Sequence, residues 1–106
     1  MGEVIAIHSL EEWATVSRNK LVVVYFSATW SEPCRLISPV FHDLAKKLTN
    51  VIFLEVDVDE IKLLALKFNV SIMPTFVFVK ERVLVDQVSR ASKDELENKI
   101  EKHMIA

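Results

Sequence analysis

The chain has 106 residues, 51% hydrophobic and 26% charged, with a formal net charge of −2 at pH 7. That length supports one compact domain spanning residues 1–106, and the composition is globular rather than disordered. Charges of both signs are interspersed, which argues against a nucleic-acid or anionic-membrane surface, and the longest apolar run falls far short of the ~20 residues a membrane span needs.

Val4 to His8 alternates weakly and predicts a short strand. Ser9-Leu10-Glu11-Glu12 has capping-box spacing, serine and glutamate each placed to satisfy the other's backbone N–H, so a first helix is expected to about Arg18. Asn19-Lys20 then turns the chain into Leu21-Val22-Val23-Val24-Tyr25-Phe26, a run with almost no polar face. A strand of that kind is covered on both sides and belongs at the centre of a sheet. A second helix is expected from about Pro33 to Leu48, with Leu36, Ile37, Val40, Phe41, Leu44, Ala45 and Leu48 at helical spacing toward the sheet and Pro39 kinking it.

Val51 to Val58 reads as another strand with Asp57 and Asp59 at its exit, and Glu60 to Phe68 as a short helix carrying Leu63, Leu64 and Leu66. After Val70-Ser71-Ile72-Met73-Pro74, Thr75 to Val79 and Val83 to Val88 form a hairpin joined tightly at Lys80-Glu81-Arg82. Ser92-Lys93-Asp94-Glu95 repeats the capping-box spacing and opens a final amphipathic helix through Leu96, Ile100 and Met104. The order β-α-β-α-β-α-β-β-α predicts a single α/β domain with a mixed sheet and helices on both faces. With one glycine in the chain, turns needing positive φ fall to residues such as Asn19, Asn50 and Asn69.

The stretch Phe26 to Arg35 carries the chemistry. A strand that delivers a short turn into a helix N-terminus brings unsatisfied N–H groups and the positive end of the helix dipole to bear on an anion such as a thiolate. A reactive cysteine is therefore expected at position 31, and the sequence has Ser31. Cys34, the one cysteine, excludes an intramolecular disulfide and a cysteine-rich zinc site. With no basic leader at the N-terminus, where Glu3 stands, a reducing cytosol is the expected location.

Four signals in register carry a resemblance over essentially the whole length. They are Trp30-Ser31-Glu32-Pro33-Cys34-Arg35, the kinking Pro39, Val56-Asp57-Val58-Asp59, and Met73-Pro74-Thr75-Phe76. The chain resembles the thioredoxin family, with Ser-Glu-Pro-Cys where the family has Cys-Gly-Pro-Cys. Val4-Ile5-Ala6-Ile7-His8 with Trp13, and the Met-Pro-Thr-Phe wording, are most similar to the plant cytosolic h-type branch. The resemblance implies a thioredoxin fold and protein-disulfide oxidoreduction without a cofactor. Its partners would be proteins bearing disulfides or thiols and a thioredoxin reductase, acting on a monomer.

In that chemistry the first cysteine attacks a substrate disulfide and the second resolves the mixed disulfide. Those positions are Ser31 and Cys34 here. A serine hydroxyl needs an adjacent base, and His42 lies eight residues beyond Cys34, ~12 Å along the helix axis. Two-cysteine exchange is excluded. Tyr25 stands where the family has a buried aspartate serving the second cysteine, and the glycine of the loop before the last helix is replaced around Ser89-Arg90. Arg90 would narrow the groove or add a charged contact, and Glu32 puts negative charge beside the turn, which raises the pKa of a neighbouring thiol. An engineered trap removes the second cysteine rather than the first, and the further changes at Tyr25 and Arg90 also favour natural variation.

Substrate would meet Trp30, Pro33, Met73 and Pro74, with Ile72 on the same apolar rim and Pro74 as the family's cis-proline. A redox-inactive binding or holdase-like module using that groove, and monothiol chemistry at Cys34, are the alternatives. Against the latter stands a Cys34 left inert behind Ser31. Tyr25 is most simply a core aromatic with its hydroxyl at a polar edge. Asp57, Asp59 and Glu60 read as a strand exit and helix N-terminus rather than a cation site, and His8, His42 and His103 share no ligand spacing, so no metal is expected.

Overall fold

Residues 2–16 and 19–104 are described in the computed structural model. The elements are β1 (Val4–Ile7), α1 (Leu10–Ala14), β2 (Val22–Ser27), α2 (Glu32–Lys47), β3 (Ile52–Asp57), α3 (Lys62–Lys67), β4 (Thr75–Lys80), β5 (Val83–Val88) and α4 (Lys93–Met104). The order is the expected one. α1 is shorter than its pattern suggests, and the expected end near Arg18 lies outside the described residues.

The five strands form one sheet in the order β1-β3-β2-β4-β5. β1 and β2 run parallel to β3, whereas β4 is antiparallel to β2 and β5 to β4. Every residue of β2 is buried, as its apolar run requires. Alternation then divides its side chains between two cores. Val23 and Tyr25 pack with Ile37, Phe41 and Leu44 of α2 and Leu96 and Ile100 of α4. Val22, Val24 and Phe26 pack with Leu64 and Ala65 of α3, and Trp13 of α1 joins that side.

Local signals account for the helix starts. Ser9 caps α1 by accepting from the Glu12 N–H at 3.1 Å, but the Glu12 carboxylate reaches back to the His8 N–H at 2.9 Å rather than to Ser9. Ser92 Oγ accepts from the Glu95 N–H at 3.2 Å ahead of α4. α2 continues through Pro39 as one helix. Its apolar stripe is narrower than periodicity predicts: Ile37, Phe41, Leu44 and Ala45 are buried, while Leu36 is 70% exposed. Leu63 and Leu66 are likewise exposed on α3, because a short helix laid on a sheet buries one face, here Leu64 and Ala65.

Positive φ occurs at Asn69 (56°), Glu81 (51°) and Arg82 (66°) and not at Asn50. The β4–β5 turn is thus built in the left-handed region from two charged residues. Arg82 Nη2 reaches from there to the Ala14 carbonyl oxygen at 2.7 Å. Gly2 serves close approach instead of a turn, since a Cβ there would overlap the Ala45 carbonyl of α2.

Candidate functional site

One end of the sheet collects the chemistry, and strand direction explains why. β2 and β3 are parallel with Ser27 opposite Asp57, so both exits lie together. β4 is antiparallel to β2 with Thr75 opposite Phe26, which brings Met73-Pro74 beside the turn leading into α2. β5 pairs Val88 with Phe76, so Ser89 and Arg90 arrive at the same end. Segments far apart in sequence thereby surround Trp30 to Cys34.

Ser31 is the N-cap of α2, with φ −93° and ψ 116°. Its Oγ accepts from the Cys34 N–H at 3.4 Å, its own N–H donates to the Ala28 carbonyl at 3.1 Å, and it is only 5% exposed. A serine here satisfies one of the helix's free N–H groups, the role for which serine is favoured at this position. Cys34 is 3% exposed, with its thiol inside the α2-side core. Pro33, Glu32 and Arg35 are exposed around it, and the Glu32 carboxylate is matched by the Arg35 guanidinium at 3.0 Å.

Tyr25 lies beneath this turn, fully buried, its ring stacked on Phe76 and tilted against Phe41 at 5.0 Å in each case. Its hydroxyl donates to the Cys34 carbonyl oxygen at 3.0 Å, and Ser38 Oγ lies 2.8 Å from both the phenol oxygen and that carbonyl, its single proton shared between the two. Burial pushes the phenol well above its ordinary range, partly offset by the hydrogen bond with Ser38, so the group stays neutral. A neutral phenol holds the first turn of α2 in place but does not accept a proton as a carboxylate would.

The rim is partly polar in its support. Trp30 is 64% exposed, yet its Nε1–H donates to Asp59 Oδ2 at 3.0 Å. Asp59 therefore orients the indole, and its own N–H is held by Asp57 Oδ1 at 2.8 Å. α3 begins at Lys62 without a side-chain cap, so these acids precede the helix rather than cap it. Met73-Pro74 is a cis peptide bond. Pro74 is buried, Met73 packs on the core that holds Cys34, and Ile72 is 59% exposed. Thr75 Oγ1 donates to the Ile72 carbonyl and lies 3.1 Å from Ser89 Oγ, tying the two loops together. Arg90 turns toward α4, with Nε 3.5 Å from Glu95 Oε1.

The structure adds two partners to these residues, Ser38 and Glu55. Ser38 follows Cys34 by four residues, the spacing at which a helical serine bonds back to a carbonyl. Glu55 interrupts the apolar residues of β3 two positions before Asp57; it sits opposite Tyr25 in register, accepts from Ser27 Oγ at 3.1 Å and faces His42 Nε2 at 3.5 Å. Each histidine has its own carboxylate: His8 with Glu60 at 2.9 Å, His42 with Glu55, and His103 with Asp86 at 2.9 Å. Among the described residues, no group of three or more His, Cys, Asp or Glu side chains is placed to hold a metal, and no helix is long and apolar enough to cross a membrane.

Comparison with known proteins agrees with this architecture. A family model described as Thioredoxin matches residues 4–102. Thioredoxin H5 of Arabidopsis thaliana is 50% identical over 107 residues, covering 96% of this chain and 91% of the relative. Thioredoxin H1 of the same plant is 50% identical over 109 residues, covering 97% and 95%. The crystal structure of thioredoxin NaTrxh from Nicotiana alata superposes with a TM-score of 0.90 at 43% identity, covering 97% of this chain and 94% of that one. The match extends from β1 to the last turn of α4 and includes the mixed five-stranded sheet, so the chain belongs to the thioredoxin family.

Proposed function

We propose that this chain is an atypical thioredoxin-family protein that retains the substrate groove but does not run two-cysteine disulfide exchange. The observation that carries the reading is the position of Ser31: its hydroxyl is the N-cap acceptor for Cys34, and no basic side chain touches it among the described residues. A hydroxyl is far less acidic than a thiol, whose ordinary pKa is about 8.5, and without a base it is no nucleophile. Cys34 alone attacks nothing outside the molecule while it remains 3% exposed. Trp30, Pro33, Met73 and Pro74 are the groove residues in this reading, with Arg90 at its edge and Tyr25 supporting it from below. Family resemblance supplies the rest: cytosolic residence, protein clients bearing disulfides or thiols, a thioredoxin reductase as upstream partner, and a monomer.

Insulin reduction by dithiothreitol tests it. The chain as it stands is expected to give no turnover above the blank, and Ser31→Cys to give measurable turnover. Turnover by the unaltered chain, or none after restoring the cysteine, would sink the idea of an oxidoreductase disabled at one residue. A second reading, a binding module that works through the groove alone, is favoured by the exposure of Trp30 and Ile72 beside a turn with no competent nucleophile. Monothiol chemistry at Cys34 requires the native thiol to react with a labelling reagent faster than background, which its burial opposes.

A further inference from the structure

The opposite end of the sheet holds a second concavity. Val22 and its antiparallel partner Val79 mark that end, and both are buried. They form the floor of a pocket of about 90 Å³ walled by Trp13, Val16 and Phe68, with Lys67 and Arg82 exposed beside it. Trp13 meets Phe68 edge-on with ring centroids 5.7 Å apart. This pocket is independent of Ser31 and of any redox chemistry.

Its lining is apolar at Trp13, Val16, Val22, Phe68 and Val79, with two exposed cations and one exposed acid around them. Lys67 has no ion-pair partner among the described residues, and its Nζ stands 6.0 Å from the Phe68 ring centroid. Arg82 is held over the pocket by the β4–β5 turn, where it and Glu81 occupy a left-handed backbone ordinarily given to Asn-Gly. A strained turn that keeps two bulky charged residues is a sign that a side chain is needed there. One guanidinium nitrogen is engaged by the Ala14 carbonyl at 2.7 Å, which orients the group and leaves other N–H donors available. Among the described residues, Glu81 is the one acid lining the pocket against these two cations.

Volume limits the occupant. An apolar cavity of about 150 Å³ takes a benzene ring, so 90 Å³ suits a short branched alkyl group. We infer that this pocket binds a carboxylate carried on a short branched alkyl chain, the alkyl group against Val22, Val79 and Phe68 and the carboxylate between Lys67 and Arg82. The shared chemistry has two sources, a free branched-chain acid or a peptide ending in a residue such as leucine.

The test is an NMR titration of the ¹⁵N-labelled full chain with 4-methylpentanoate, with 4-methylpentan-1-ol as the neutral control, and with Ala-Ala-Leu bearing a free or an amidated C-terminus. Saturable shifts are expected at the Trp13 indole and the Val22, Phe68, Val79 and Arg82 amides, at ligand concentrations on the order of millimolar. The acid should bind about tenfold more tightly than the alcohol, and Lys67→Glu should remove that preference while leaving the alcohol unchanged. Lys67 is exposed, so this variant tests the site without disturbing the core. Binding of the free acid alone assigns a small-molecule ligand, and binding of the free tripeptide but not its amide assigns a protein C-terminus. No saturable shifts, shifts centred elsewhere, or equal binding of acid and alcohol overturn the inference.

Discussion

The hydroxyl at position 31 is far less acidic than a thiol of similar shape, and the structure uses it to hold the Cys34 N–H at the start of α2. The side chain beneath it follows the same logic. Tyr25 reaches the Cys34 carbonyl and Ser38 while its ring fills the space between Phe41 and Phe76. Removing the hydroxyl alone leaves the Cys34 carbonyl still bonded to Ser38 Oγ. Tyr25→Phe is therefore expected to cost only about 1 kcal/mol, the net worth of one ordinary hydrogen bond. Urea unfolding measures it, and a loss near 3 kcal/mol would mean that the hydroxyl organises the turn more widely than these contacts indicate. That Tyr25 belongs to the core was legible in the run from Leu21 to Phe26. Its partners were not, because they sit on a helix whose rotation relative to β2 is a matter of packing.

Two elements at the sheet's edge carry predictions of their own. β5 is joined to α4 through Asp86, whose carboxylate meets His103 Nε2 at 2.9 Å and Lys99 Nζ at 3.1 Å. Burial alone would raise its pKa, but His103, the Gln87 N–H and Lys99 outweigh that and hold it at about 2 against an ordinary 3.8. A carboxylate depressed in the folded state contributes stability above its unfolded pKa and loses it as pH falls toward the folded one. The native chain should thus lose on the order of 1–2 kcal/mol from this site between about pH 5 and pH 2. Asp86→Asn should flatten that part of the curve in denaturant titrations at stepped pH, and an unchanged slope would show that Asp86 is not the linked group. The β4–β5 turn makes the second case. Replacing Glu81-Arg82 by Asn-Gly relieves two positive-φ residues at the cost of the Arg82 contact with Ala14, for an expected net gain of about 1 kcal/mol. A rise in Tm of a few degrees is the observable result, and a fall would show that the tie to α1 matters more than the strain.

At the scale of the molecule, strand direction gathers an exposed apolar rim of Trp30 and Ile72 at one end of the sheet, beside the buried Pro74 of the cis Met73-Pro74 bond and the buried Cys34. If that rim binds extended partners, Trp30→Ala should weaken peptide pull-down at least fivefold while leaving the melting temperature within a degree or two, since the indole is 64% exposed. Retention of binding would count against the groove. The sequence by itself determined the element order, the central place of β2 and the absence of a second thiol, because each is a local property: a period, a spacing, or a residue type. It also marked two of the three serine caps, Ser9 and Ser92, from four residues each, but not the cap at Ser31. Periodicity did not reveal that Leu36, Leu63 and Leu66 would face solvent, since it marks an apolar stripe without saying how much of that stripe the sheet is wide enough to cover. Nor could spacing show Trp30 bonded to Asp59, Tyr25 to Ser38, or Arg82 laid over a pocket toward Ala14. Those contacts join residues whose distance is set by strand register and helix packing, and only the tertiary structure decides either.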